Sequence, residues 1–370
     1  MNTLDAFQDR ARVTVLAARV EALARSLPEP VTFMEVCGTH THAIAAAGLR
    51  RLLPHNVRLV SGPGCPVCVT PIDWLDHAIA LAERPDVTLC TFGDLMRVPA
   101  SRRDSLEKAS ARGADIRIVY SPRDALAIAR DSAGRKVVFL GVGFETTMPT
   151  IAAALAEAEE DGIRNFLVFA GGKLIGPPLR ALLGDPDLRL QGFLLPGHVS
   201  VILGADFYAF LPRDHGVGGA IVGFGPVDIL AGIAELLEQV RTRTPRVANL
   251  YARVVSREGN RTAQELMARF FEPADSRWRG LGAIPASGLA LRKEFAHRDA
   301  AQLPVELAPS QEPKSCRCGE ILKGAITPPQ CPLFGHGCDP DHPIGACMVS
   351  SEGTCAAWFR HERQSVGAGR

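Results

Sequence analysis

The sequence predicts an α/β chain: two small parallel-sheet (Rossmann-like) α/β domains, then a third, mostly helical or irregular domain. Three observations carry this. Short β-branched runs alternate with helical patterns from residue 31 to residue 224. The alternation stops at Pro226. The cysteines fall into two groups: Cys37, Cys65 and Cys68 near the start and six between Cys316 and Cys355, with only Cys90 outside them.

The elements follow in order. A helical stretch at 4–27 precedes strand-like runs at 31–37, 56–61, 86–92 and 116–120. A second series runs at 136–142, 165–170, 192–195 and 220–224. Strands separated by helices of roughly 10–15 residues read as parallel βαβ units. Their number suits α/β domains at 28–134 and 135–225, with the boundary near 132–135. An amphipathic helix at 226–243 and a helical piece at 263–271 come next. Beyond about residue 282 the chain becomes irregular and rich in Gly and Pro, and then enters the cysteine module. Residues 226–370, completed by the helix within 1–27, are expected to form the third domain.

At 370 residues the chain exceeds one ordinary core. Its formal net charge is +1 with both signs mixed throughout, so no basic face points to nucleic acid and no acidic tail to disorder. The first residues lack a basic segment leading into an apolar core, and no apolar run reaches membrane-spanning length. The expectation is a cytoplasmic protein without a membrane segment. In a reducing compartment, clustered cysteines point to metal ligation or redox chemistry rather than structural disulfides.

Cys37 closes an apolar strand-like run and is followed by Gly38-Thr39-His40 and a helix. Residues just past the carboxyl ends of strands line the ligand crevice of open α/β sheets. Cys37 and His40 are therefore candidate site residues, with Gly38 allowing close backbone approach and His40 placed to donate a hydrogen bond. Cys65-Pro-Val-Cys68 repeats the arrangement after a Gly62-Pro63-Gly64 turn, with Thr70-Pro71 as a helix start. A thiol near a helix N-terminus has a lowered pKa, so the pair would either cycle between dithiol and disulfide or present two soft ligands to iron. Cys90, inside Val87-Thr-Leu-Cys-Thr91, reads as a small core residue. Glu145, in Gly143-Phe-Glu-Thr-Thr147, follows a strand, as do Asp94 and His198. The glycines there do not complete a dinucleotide-binding fingerprint.

The terminal module carries Cys316, Cys318, Cys331, Cys338, Cys347 and Cys355. Four thiolates on irregular backbone suit tetrahedral zinc or an iron–sulfur cluster. The spacing matches neither a zinc ribbon nor a two-cluster ferredoxin, and places [4Fe–4S] slightly ahead of zinc. The reactive thiols upstream add weight, because a cluster delivers electrons and zinc does not. His336 and His342 read as surface residues.

These residues resemble the HypD family of hydrogenase maturation proteins. The resemblance rests on Met34-Glu-Val-Cys-Gly-Thr-His-Thr-His-Ala-Ile44, Gly62-Pro-Gly-Cys-Pro-Val-Cys68, Thr91-Phe-Gly-Asp-Leu-Met-Arg-Val-Pro99 and Gly143-Phe-Glu-Thr-Thr-Met-Pro-Thr150. It continues in Pro196-Gly-His-Val-Ser200, Trp278-Arg-Gly-Leu-Gly282 and Gly345-Ala-Cys-Met-Val-Ser-Ser-Glu-Gly-Thr-Cys355, in family order over nearly the whole chain. It implies a three-domain scaffold for the Fe(CN)2CO centre of [NiFe] hydrogenase, which binds the small chaperone HypC and receives cyanide through HypE. It further implies that Cys37 is the iron-coordinating thiol, Cys65 and Cys68 the redox pair beside it, and His40 and Glu145 crevice neighbours. Cys318, Cys331, Cys338 and Cys355 are the ligands expected for the [4Fe–4S] cluster, with Cys316 and Cys347 as alternates. Two positions depart from the family pattern: Gly225 stands where a glutamate is expected and Gly172 where a histidine is expected.

Two other functions compete. One is a cluster-dependent thiol–disulfide oxidoreductase with Cys37 as accessory nucleophile, and the other is a zinc-stapled binding protein. The favoured expectation is a redox-active assembly factor rather than a turnover enzyme.

Overall fold

The computed structural model describes residues 10–362. Residues 4–9 of the expected N-terminal helix and residues 363–370 lie outside this range. The strands in chain order are β1 (Val31–Glu35), β2 (Val57–Ser61), β3 (Val87–Thr91), β4 (Ile116–Ile118), β5 (Lys136–Gly143), β6 (Phe166–Gly172), β7 (Gly192–Pro196), β8 (Gly218–Val222), β9 (Val247–Asn249), β10 (Phe271–Trp278) and β11 (Gly282–Leu291). They form a five-stranded sheet in the order β2-β1-β7-β8-β9 and a four-stranded sheet in the order β4-β3-β5-β6, both parallel, plus the antiparallel hairpin β10-β11. Helices cover the sheets, as the near-continuous burial of β3, β7 and β8 requires.

The partition of strands differs from the expected one. β7 pairs with β1, placing Phe33 opposite Gly192 and Glu35 opposite Leu194. β3 pairs with β5 across the boundary expected at 132–135, placing Val87 opposite Lys136. The chain therefore builds β1 and β2, leaves to complete the whole four-stranded sheet, and returns to finish the first. Domains at 28–134 and 135–225 do not describe these sheets. The βαβ period is the same within a sheet and between sheets, so alternation alone does not reveal which strands pair.

The flanking helices are also placed differently from the expectation. Val20 and Ala24 of the helix Arg10–Arg25, and Ile229, Leu230 and Ile233 of Pro226–Thr242, share one core with Phe33, Leu59, Leu194 and Ala220. Both helices cover the five-stranded sheet rather than belonging to the cysteine module. Phe33, Leu194 and Ile233 are completely buried, each contributing roughly 1.5–3 kcal/mol of apolar burial. The helix expected at 263–271 is Arg261–Phe270, opened by the Asn260 side chain accepting from Ala263 N–H at 3.0 Å. The stretch beyond 282, expected to be irregular, begins with β11 paired to β10. After it come short helical turns, with Cys318–Leu322 and Thr354–His361 as the α-helices of the module. Among the described residues no helix is long and apolar enough to cross a membrane.

Strand order locates the crevices. From β1 the chain moves outward to β2, and from the neighbouring β7 it moves the other way to β8 and β9. β3 and β5 reverse direction in the same manner in the second sheet. Ligands bind at the carboxyl ends of strands at such reversals. Cys37 and His198 lie just past β1 and β7, and Asp94 and Glu145 just past β3 and β5.

Candidate metal and thiol site

Cys37 is the extended N-cap of the helix Gly38–Ala46 and is 8% exposed. The Gly62–Gly64 turn packs on its backbone. A Cβ on Gly64 would lie 2.2 Å from Cys37 N, so only glycine allows that approach. Gly38 N–H donates to the Gly64 carbonyl at 3.0 Å. On the other side Gly38 meets the cysteine module, where a Cβ would fall 2.5 Å from Glu352 Cβ. Thr39 Oγ1 donates to Glu352 Oε1 at 2.6 Å.

Burial pushes the Cys37 thiol up to about 12. The backbone N–H groups of His40 and Thr39 oppose this, while the carboxylates of Glu352 and Glu35 add to it. The group is a thiol until a cation, for which the thiolate is the ligand form, takes the proton's place. Glu35 is itself fully buried, and burial raises it to about 7. Its carboxylate accepts from Thr41 Oγ1 at 2.7 Å, with Arg50 at 4.0 Å.

His40 is fully buried, and burial lowers its pKa to about 4, so the ring is neutral. Its Nε2 lies 3.0 Å from the Gly223 carbonyl, which requires the proton on that nitrogen. Nδ1 is left as an acceptor with no partner among the described residues. The expected role of the ring as a donor to the site is thereby corrected: the donors facing Cys37 are backbone N–H groups, and the ring is anchored past β8. Phe224 packs against both His40 and His198, with centroids at 4.8 and 4.0 Å.

Cys65 and Cys68 are joined as a disulfide, with Cα atoms 5.3 Å apart. Cys65 is the N-cap of the short helix Pro66–Val69, and the helix start expected at Thr70-Pro71 appears as Ile72–Ala82 with Pro71 as its N-cap. The disulfide sits in one buried cluster with Cys318, Cys338, Cys347 and Cys355, against which Cys316 and Cys331 pack. The two cysteine systems at opposite ends of the sequence thus meet.

Within the module Cys347 Sγ and Cys355 Sγ are 3.3 Å apart. The Ile344 N–H donates to Cys338 Sγ at 3.3 Å. Cys316 and Cys318 share a hydrogen bond that, with burial, pushes the Cys316 thiol up. Cys331 is partly exposed. Among the described residues no group of three or more His, Cys, Asp and Glu side chains converges on one ion position. The donor set fits an iron–sulfur group in kind: soft, buried thiols on irregular backbone, with a backbone N–H aimed at sulfur. Cys90 is fully buried among Val119, Phe139 and Phe166 and belongs to the core.

Glu145 is 1% exposed. Its Oε1 accepts from Ile175 N–H at 2.9 Å, Oε2 has no partner, and burial raises the carboxyl to about 7. Tyr208 is fully buried, and its hydroxyl accepts from Ser200 Oγ at 3.2 Å. Asp94 accepts from Ser350 Oγ at 3.3 Å, so residues 350–352 touch the ends of both β1 and β3.

The two departures from the family pattern have structural counterparts. A Cβ on Gly172 would lie 2.6 Å from Met148 Sδ, so Met148 fills the space of a larger side chain. Gly225 is the extended N-cap of the helix Pro226–Thr242 and contributes no side-chain cap. Sequence reasoning missed Glu352, Glu35, Tyr208 and Arg279. A signal existed for Glu35, an acid inside the apolar run Val31-Thr-Phe-Met-Glu-Val36.

Comparison with known proteins agrees with the motifs. A family model described as "Hydrogenase formation hypA family" (HypD) matches residues 11–362. The chain is 47% identical to the "Hydrogenase maturation factor HypD" of Azotobacter vinelandii, over 98% of each chain. It is 47% identical to the protein of that name from Escherichia coli K12, over 95% of each chain, and 43% identical to that from Cupriavidus necator, over 98% of each. With its motifs placed along the ends of two parallel sheets and this similarity over nearly its full length, the chain belongs to the HypD family of hydrogenase maturation factors.

Proposed function

We propose that this protein is the scaffold and redox component on which the Fe(CN)2CO centre of [NiFe] hydrogenase is assembled, holding iron together with the small chaperone HypC and receiving cyanide through HypE. The observation that carries the reading is the position of Cys37. It is a buried thiol past the end of β1, one turn from the Cys65–Cys68 disulfide, which in turn packs among the cysteines of the module.

Iron is the cargo. Cys37 offers it a soft thiolate, a chaperone thiolate would offer a second, and cyanide and carbon monoxide take open positions. Burial excludes water from the site, and the carboxylate of Glu352, joined by that of Glu35 once it ionises, favours a bound cation over a bare thiolate. Cys65 and Cys68 exchange two electrons as dithiol and disulfide, or as dithiol serve as further iron ligands. The module would hold a [4Fe–4S] cluster through Cys318, Cys331, Cys338 and Cys355, with Cys347, beside Cys355, as the thiol able to replace one of them. When bound, that cluster supplies single electrons to the disulfide. His40, neutral above about pH 4, and Glu145, neutral below about pH 7, shape the crevices.

The test is the infrared spectrum of the protein copurified with its chaperone, where bound cyanide and carbon monoxide absorb apart from protein. Cys37→Ala should abolish those bands and leave the visible absorption of the module unchanged. Bands of wild-type intensity in the alanine variant would remove Cys37 from the role of iron ligand.

A further inference from the structure

Arg279 follows Trp278 at the end of β10 and is 1% exposed. Among the described residues neither Nη1 nor Nη2 has a hydrogen-bond partner. Its backbone N–H donates to the Val69 carbonyl at 2.8 Å, one residue beyond Cys68. The next residue, Gly280 (φ +76°), lies against the cysteine module, and a Cβ there would be 2.6 Å from Gly319 Cα and 3.4 Å from Cys318 Sγ. A cavity of about 430 Å³ is lined by Arg279 together with Cys316 and Cys318. Backbone on both sides of the guanidinium is thus fixed, one side to the disulfide turn and the other to the module.

A guanidinium stays protonated in proteins, and a buried cation without a counter-charge is strongly destabilising. The shared cavity places it with the thiols of Cys316 and Cys318; of the carboxylates there, Glu320 is already paired with Arg317, and the other is Glu312.

We propose that Arg279 is a positioning residue whose buried guanidinium is the counter-charge of the thiolate-ligated iron–sulfur group in the C-terminal module, and that it raises the reduction potential of that group. The proposal rests on the assignment of a [4Fe–4S] cluster to these cysteines. Reduction adds one negative charge to the cluster. A fixed cation in a low-dielectric surrounding stabilises the more negative form, and net charge and hydrogen bonds to sulfur are among the factors that set cluster potentials.

Full-length wild type, Arg279→Gln and Arg279→Lys are purified anaerobically and analysed for iron and labile sulfide. Each is then titrated with dithionite, with visible absorption and electron paramagnetic resonance as readouts. Arg279→Gln should keep the cluster and shift its oxidised-to-reduced equilibrium at least tenfold toward the oxidised form, about 59 mV for a one-electron couple. Arg279→Lys should stay close to wild type. Loss of the cluster in the glutamine variant alone also supports the charge pairing. An unchanged potential in a fully loaded glutamine variant overturns the proposal, as does an equal loss or shift in both variants, which would mark Arg279 as packing. Wild-type protein without iron and sulfide overturns the cluster assignment and this proposal together.

Discussion

Glu145→Gln isolates the cost of a charge held in the second crevice. The wild-type carboxyl moves from its usual 4.5 to about 7 because it is buried, with one oxygen bonded to Ile175 N–H and the other unpartnered. Glutamine has the same shape, and its carbonyl can keep the Ile175 bond. A group whose folded pKa is raised binds more protons folded than unfolded between those two values. Its contribution is therefore fully present below pH 4.5 and is lost as pH rises through 7. At 1.36 kcal/mol per unit, the loss between pH 5 and pH 8 is about 2–3 kcal/mol. Glu35 and His40 titrate in both proteins and cancel in the difference. Urea unfolding of wild type and variant across this range should show the variant gaining about 2–3 kcal/mol relative to wild type as pH rises. A difference constant to within about 0.5 kcal/mol would mean that the carboxyl is hydrated or paired, and the idea of a buried neutral acid would have to be abandoned.

Anaerobically purified protein should be brown, with about four irons and four sulfides per chain. Cys338→Ser should lose the colour and Cys90→Ser should keep it; stoichiometric zinc without sulfide would defeat the cluster assignment. Cys65 and Cys68 should shift together between alkylatable and protected forms in mass spectrometry as the protein is reduced and mildly reoxidised, and two thiols that stay alkylatable would leave them as ligands only. Gly38→Ala should destabilise the chain by roughly 1–3 kcal/mol, because its Cβ would sit 2.5 Å from Glu352 Cβ and force helix and module apart. Thermal unfolding at the wild-type midpoint would disprove that contact.

Strand positions were legible wherever β-branched residues cluster, as in Val87-Thr-Leu-Cys-Thr91 and Lys136-Val-Val-Phe-Leu140. Strand partners were not, because the return from β6 to β7 has the same local pattern as any other crossover. β9 escaped notice because it has only three residues, and β10 and β11 because Pro273 and Gly288 interrupt their alternation. The positions of Cys37 and of the Cys65–Cys68 pair past β1 and β2 were legible because each follows a strand-like run, with Gly38 beside Cys37 and Gly64 beside Cys65. Glu352 was not, since its partner Thr39 is 313 residues away and no local pattern encodes that contact. Arg279 sits in a motif whose only visible cue is glycine on its C-terminal side.

The places where local rules fail are concentrated. Among the described residues, buried side-chain atoms without partners belong to His40, His42, Arg50, Glu145 and Arg279, and, away from these, His77. His42 packs on His361 and Arg50 on Trp358 and Glu362, so the helix Thr354–His361 closes the same junction that Glu352 and Ser350 enter. A buried polar atom left unsatisfied is expensive, and folds tolerate it where function needs it. Here such atoms surround the seam where both strand reversals, the disulfide turn and the cysteine module meet. On the proposed function, a scaffold that holds iron away from water, yet delivers charge to it, needs low dielectric and fixed charges in the same place. Low dielectric also magnifies each fixed charge. The burial that makes Glu35, Glu145 and His40 reluctant to ionise is therefore, under the proposed cluster assignment, the property that gives Arg279 leverage over the sulfurs it faces.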